Sequence, residues 1–173
     1  MNRLIQQIEQ WAEDRNLIKG STPQKQMLKL MEEFGELCGG IAKNKPEVIK
    51  DSIGDCFVVL VIMSNQIFYD FSVYEAITIG CKTKEESDHS FDEMLNVDQL
   101  LVISSLGDLS RALATISDDI DTVLYRVIAS LTMLSIELNM DLKDCIQHAY
   151  DQIKDRKGKM IDGVFVKEED LCD

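Results

Sequence analysis

Lys29-Leu-Met-Glu-Glu-Phe-Gly-Glu-Leu37 and, a short way on, Lys50-Asp-Ser-Ile-Gly-Asp55 decide how the chain is read. The first stretch places Glu32, Glu33 and Glu36 on a predicted helix, where residues three and four apart share a face. Met27, Leu30, Met31, Phe34, Leu37, Cys38 and Ile41 recur at helical spacing and form an apolar stripe on the other side. The second stretch places Asp51 and Asp55 one turn apart at the head of Cys56-Phe-Val-Val-Leu-Val-Ile-Met63. That run has no polar side and reads as a helix buried all round. Carboxylates beside such a segment are costly unless something compensates their charge. Hard oxygen ligands from two neighbouring helices suit Mg²⁺, which prefers carboxylates, water and substrate phosphates.

Length and composition set the outer limits. A chain of 173 residues with 45% hydrophobic residues and two prolines fits one substantial, helix-rich core. We expect a single domain over 1–173, with an insertion or degenerate second hairpin at about 70–130 and a short tail at 159–173. A net charge of −13 argues against a general nucleic-acid-binding surface. Five scattered cysteines without a CxxC pair fit a reduced, cytoplasmic compartment. No signal-peptide core is evident, and Ile53 to Met63 is too short to cross a bilayer, so no membrane partner is expected.

The remaining elements follow from caps and breakers. Asn2 is expected to cap a first helix carrying Leu4, Ile5, Ile8, Trp11 and Ala12, a unit that Gly20 ends. Trp11, the sole tryptophan, reads as core or as a base-stacking platform. Thr22-Pro23 opens a second helix to about Lys43. Pro46 opens a third, reaching about Phe68. Periodicity fades over 70–96, where Thr83 to Ser90 reads as a solvated connector with His89 at the surface. Helices are expected at about 97–116 and 119–139. Asp141 caps a last one over 142–157, closed by Gly158, with His148 in a structural role. Asp162-Gly163 suggests a short hairpin within 160–166, and 168–173 a frayed end. Gly35 and Gly54 each sit beside a carboxylate inside a helix, where glycine costs roughly 1 kcal/mol against alanine. The gain would be close helix approach or room for a ligand.

The halves also echo one another. Glu32-Glu-Phe-Gly-Glu-Leu37 aligns with Ser104-Ser-Leu-Gly-Asp-Leu109, and both are followed by a turn and an apolar helix. Read as duplication, one hairpin keeps the acidic cluster and the other serves as scaffold; chance likeness of amphipathic helices is the alternative.

The acidic pattern resembles the all-α nucleoside triphosphate pyrophosphohydrolases of the MazG-like family, whose signature is EExxE followed by ExxD after a short helical hairpin. Glu32, Glu33 and Glu36 match the first half. In the second, Asp55 matches the aspartate while Ser52 stands where the glutamate is expected, and Asp51 is the available substitute. The run from Ala149 to Lys167 resembles the tails of small bacteriophage members. The resemblance implies an antiparallel helical bundle, a homodimer or higher homo-oligomer, and Mg²⁺ (or Mn²⁺) held by Glu33, Glu36, Asp55 and Asp51. It implies Glu32 or Glu33 as the catalytic base, and substrate contacts from Lys29, Trp11, Lys154, Arg156 and Lys159. For Lys29 the alternative is an intrahelical ion pair, and for the C-terminal cations the helix dipole alone. The implied reaction cleaves a (deoxy)nucleoside triphosphate, with purine deoxynucleotides such as dGTP among the candidates, to monophosphate and pyrophosphate for nucleotide-pool control. A dUTPase-like enzyme of the same superfamily, or a non-catalytic helical binding module, are the other readings.

Overall fold

The computed structural model describes residues 1–67, 72–86 and 91–171. Eight helices account for most of these residues, and the bundle is all-α and antiparallel apart from one small two-stranded sheet. His89 and Cys172 lie outside the described residues. The chain forms two compact units, residues 1–69 with 145–173, and residues 70–144.

The first unit is built on a helical hairpin. Helix α1 spans Asn2–Asp14 and α2 Leu17–Gly20; α3 spans Pro23–Ala42 and α4 Pro46–Ile67. Thr22 accepts a hydrogen bond from the Lys25 backbone N–H and Pro23 occupies the first turn, as the sequence predicts. Asn2 does not cap α1; it is the first helical residue, and Met1 precedes it without a side-chain cap. Asn44 takes a left-handed conformation (φ 49°) to end α3, and Lys45 N–H bonds back to the Gly40 carbonyl. Helix α4 packs on α1, α2 and α3, which accounts for its lack of a polar face. Ile53, Phe57, Leu60 and Met63 are fully buried, and each such side chain contributes about 1.5–3 kcal/mol by leaving water.

The stripe expected on α3 is only partly core. Met27, Leu30, Phe34 and Leu37 are buried, but Met31 is 46% exposed and Cys38 is exposed. They join Leu28, 73% exposed, on an outer face left open among the described residues. One helix partner needs only the narrower stripe.

Helix α8 covers Leu142–Ile153, with Asp141 Oδ1 accepting from the Asp144 N–H. It stops four residues before the expected end. Gly158 instead opens strand β1 (Gly158–Ile161), which pairs antiparallel with β2 (Val164–Lys167). Positive φ at Asp162 (49°) and Gly163 (78°) makes the tight turn that matches strand twist. Glu168–Asp170 forms a 3-10 turn, its first N–H bonded to the Lys157 carbonyl, where the sequence suggested fraying.

The second unit holds α5 (Val73–Glu86), α6 (Phe91–Thr115) and α7 (Ile120–Glu137). Helix α5 was not expected, and α6 begins earlier than the periodicity indicates; Thr83–Glu86 are helical rather than connector. Gly80 explains the missing signal. It replaces a core side chain because a Cβ there would lie 2.8 Å from the Ala129 carbonyl oxygen of α7. Lys84 joins the three helices through ion pairs to the buried Asp98 (2.7 Å) and Glu137 (2.5 Å).

Candidate active site

Helix α3 presents its polar residues in order along one face. Gln26 is buried with Nε2 donating to Ser21 Oγ at 3.0 Å. One turn on, the Lys29 ammonium reaches Glu32 Oε2 (3.0 Å) and Glu33 Oε1 (2.5 Å). Glu32 and Glu36 are exposed, whereas Glu33 is only 6% exposed. Burial lowers the Lys29 pKa, but the hydrogen bonds to Glu33 and Glu32 outweigh it and the net shift is upward. Lys29 therefore remains a cation held against two carboxylates.

Asp55 faces this row from α4. Burial first, then the charges of Glu33 and Asp51, push its carboxyl up to about 7, against the pull of Lys29 and Arg156. The glycine beside it has a structural cause. A Cβ on Gly54 would stand 2.8 Å from Ala149 Cβ, so α8 approaches α4 closely only because position 54 is glycine. Gly35 has open space around it, so close packing explains one of the two glycines and not the other.

These groups line a cavity of about 430 Å³. One part carries Glu32, Glu33, Glu36, Asp55 and Lys29; the other is walled by Trp11, Leu17, Val59, Ile62, Ile153 and Phe165. Arg156 also lines it. Trp11 is buried, its Nε1 donating to the Ile153 carbonyl at 2.8 Å, with the Arg15 guanidinium 5.0 Å from its ring centre. Asp51 is not part of the lining; its Oδ1 accepts from Gln152 Nε2 at 2.7 Å and lies 3.4 Å from His148 Nε2. Lys154 pairs with Asp151 (2.7 Å) outside the lining, and Lys159 lies on β1, also outside it.

The donor set is oxygen-only, and Asp55 is a largely buried acid facing Glu33 and Asp51. That chemistry fits a hard divalent cation. Among the described residues no three acidic, His or Cys groups already converge on one point; the ammonium against Glu33 belongs to Lys29.

Sequence reasoning did not single out Lys25, Gln26, Phe165 and Lys167, which also line the cavity. Lys25 and Gln26 follow the Thr22 cap on the same helix as the acidic motif, so their spacing to Glu33 was available. Phe165 was not, because a hairpin of four-residue strands carries no signal of where it docks.

The second unit repeats the hairpin without the acidic cluster. Ile116 has φ 52° and Ser117 N–H bonds to the Ala112 carbonyl, each 72 positions after Asn44 and the Lys45–Gly40 pair. Asp108, aligned with Glu36, forms ion pairs with Arg111 (2.5 Å) and with Arg126 of α7. Two guanidinium groups of the chain itself supply the positive charge there.

Residues 21–91 match the model of the MazG nucleotide pyrophosphohydrolase domain. An uncharacterized 18.2 kDa protein from the rep-hol intergenic region of Haemophilus phage HP1 (strain HP1c1) is 48% identical over 161 residues. The match covers 86% of this chain and 97% of the phage protein. No solved structure matches the chain.

Proposed function

The chain belongs to the MazG nucleotide pyrophosphohydrolase family, and from that premise we propose that it hydrolyses a (deoxy)nucleoside triphosphate to the monophosphate and pyrophosphate. The observation that carries the proposal is the opposition of Asp55 on α4 to Glu33 on α3, at the wall of a cavity that also presents Lys29 and Arg156. Acids alone would repel a polyphosphate. Acids with cations beside them can receive one together with its metal ion.

Glu33, Glu36 and Asp55 would hold Mg²⁺, or Mn²⁺ in its place, with Glu32 and Asp51 assisting. A bound divalent cation supplies charge neutralisation at the phosphates and a lowered pKa for an attacking water. Glu32 or Glu33 accepts the proton from that water as its oxygen attacks the α-phosphorus. The bond from the α-phosphorus to the α–β bridging oxygen then breaks, and pyrophosphate leaves with that oxygen. Lys29, paired with Glu32 and Glu33 at the cavity wall, is placed to contact the phosphates, and Arg156 of the same lining to offset charge on the departing pyrophosphate.

The exposed stripe of Leu28, Met31 and Cys38 on α3 supports assembly into a homodimer or larger homo-oligomer. Among the described residues no single helix is long and apolar enough to cross a membrane. The family match supports a role in the nucleotide pool, which would be that of a host cytoplasm if the chain is phage-encoded. A second reading, a non-catalytic helical module, is favoured by Ser52 in place of the signature glutamate. Pyrophosphate release across the eight common ribo- and deoxyribonucleoside triphosphates, with Mg²⁺ and with EDTA, tests both. Mg²⁺-dependent release supports hydrolysis; none from any of the eight leaves the binding module. Strong preference for dUTP alone indicates a dUTPase-like enzyme, and preference for dGTP a purine-directed one.

A further inference from the structure

The C-terminal hairpin closes the apolar part of the cavity, and no step of the hydrolysis uses it. Phe165 of β2 stands edge-on to Trp11, ring centres 6.3 Å apart and planes at 60°. Val59 and Ile62 of α4 line the same cavity. Because α3 and α4 run antiparallel, the turn carrying Val59 and Ile62 lies beside the N-terminal half of α3, away from Asp55. Gln26 occupies that half. It is seven residues before Glu33, which is about 10 Å along the helix.

The Gln26 amide is buried at the cavity wall, and its hydrogen bond to Ser21 fixes its orientation. A buried amide among apolar side chains, at a span comparable with that from an α-phosphate to its base, suits recognition of a heterocycle that carries hydrogen-bonding edges and a flat apolar face. Lys25 sits at the hairpin tip, where a Cβ on Gly163 would come within 2.6 Å of its Nζ. The lysine end can move aside, so it is the positive φ (78°) at position 163 that calls for glycine in a turn seated against α3.

We propose that the hairpin and Gln26 form a nucleobase subsite, with Phe165 packing on the base and the Gln26 amide bonding its edge. The subsite rests on the reading of the cavity as a nucleoside triphosphate site. It makes the hairpin a specificity element, set apart from the acidic groups that act on the phosphates.

The test is equilibrium binding, in Mg²⁺, of α,β-imido analogues of the four common deoxynucleoside triphosphates and of inorganic tripolyphosphate. Trp11, the sole tryptophan and part of the same wall, reports occupancy by its fluorescence, with calorimetry as the second readout. Phe165→Ala is expected to weaken all four analogues by roughly tenfold or more, the loss of one base-stacking contact. Gln26→Leu is expected to change the order of preference among them. Tripolyphosphate affinity should stay within about twofold of wild type in both variants, since its binding does not use a base. Phe165→Leu keeps an apolar side chain against the core and guards against simple unfolding; it should fall between wild type and alanine. Analogue affinities and their order unchanged in both Phe165→Ala and Gln26→Leu would overturn the subsite, as would equal losses for tripolyphosphate in well-folded variants. Base-dependent binding without pyrophosphate release from natural triphosphates would remove the hydrolytic reading and leave the subsite standing.

Discussion

Asp51 Oδ1 accepts a 2.7 Å hydrogen bond from Gln152 Nε2, so the acid one turn before Asp55 is tethered to α8 instead of lining the cavity. His148 Nε2 stands 3.4 Å from the same oxygen. Asp51 still acts on the site through space, as its charge helps to raise the Asp55 pKa.

The tether yields the first prediction. If Asp51 completes the ion site in place of the glutamate missing at Ser52, Asp51→Asn raises the Mg²⁺ concentration for half-maximal activity by roughly tenfold. Gln152→Ala leaves the charge and frees it, so its Mg²⁺ requirement should not rise. An unchanged requirement in Asp51→Asn would leave Asp51 as a helix-packing residue. Ser52→Glu is a poor rescue, because Ser52 is 1% exposed and a glutamate there enters the core.

Glu36 is exposed and lines the cavity, so its carboxylate is accessible to a metal ion there. Glu36→Gln should lower turnover by roughly 100-fold or more while leaving the melting temperature at or above the wild-type value. Turnover within about threefold of wild type would take Glu36 out of the ion site.

Much of the fold was legible because its signals are local. Thr22-Pro23, Asp141 and Asp162-Gly163 each announce an element boundary through backbone chemistry, and α4 announces its burial through composition. Helix α5 was not legible, since Gly80 removes a side chain from the stripe of Val73, Ala76 and Ile77. The acidic half of the cavity could be read from the spacing of Glu32, Glu33 and Glu36. Of the apolar half only Trp11 was singled out: Phe165 and Gln26 lie 139 residues apart, and only the docking of the hairpin places both at the same cavity.

The second hairpin should be catalytically silent. Asp108 is neutralised by Arg111 and Arg126, so Asp108→Asn removes no charge that a metal ion would need. Activity is expected within about twofold of wild type, as for a substitution that touches none of the residues lining the cavity. A loss matching that of Glu36→Gln would show that this unit takes part in the chemistry.

Ile116 offers a stability test of the same hairpin. A β-branched residue at φ 52° is strained, and this one is 87% exposed, so it gains little from packing. Ile116→Gly should therefore raise stability by about 1 kcal/mol, read as a higher midpoint in urea. A lower midpoint would mean that the isoleucine makes contacts that outweigh the strain.

The last prediction concerns Asp55 and pH in the absence of divalent metal. Its folded-state pKa of about 7 lies above the ordinary aspartate value of 3.8. Between those values the folded protein holds a proton that the unfolded chain has released, so stability falls as pH rises from about 4 to about 7 and then levels off. The full shift corresponds to at most about 4 kcal/mol, and to something on the order of 2 kcal/mol once screening at a site open to water is allowed for. Asp55→Asn cannot ionise. It should flatten this part of the urea-midpoint profile and be the more stable protein at pH 8 without metal. Mg²⁺ should then raise the wild-type midpoint at pH 8 and leave that of Asp55→Asn nearly unmoved. A wild-type profile that rises with pH across this window would mean that Asp55 is ionised and already compensated in the metal-free fold, with Lys29 or Arg156 as the compensating charge.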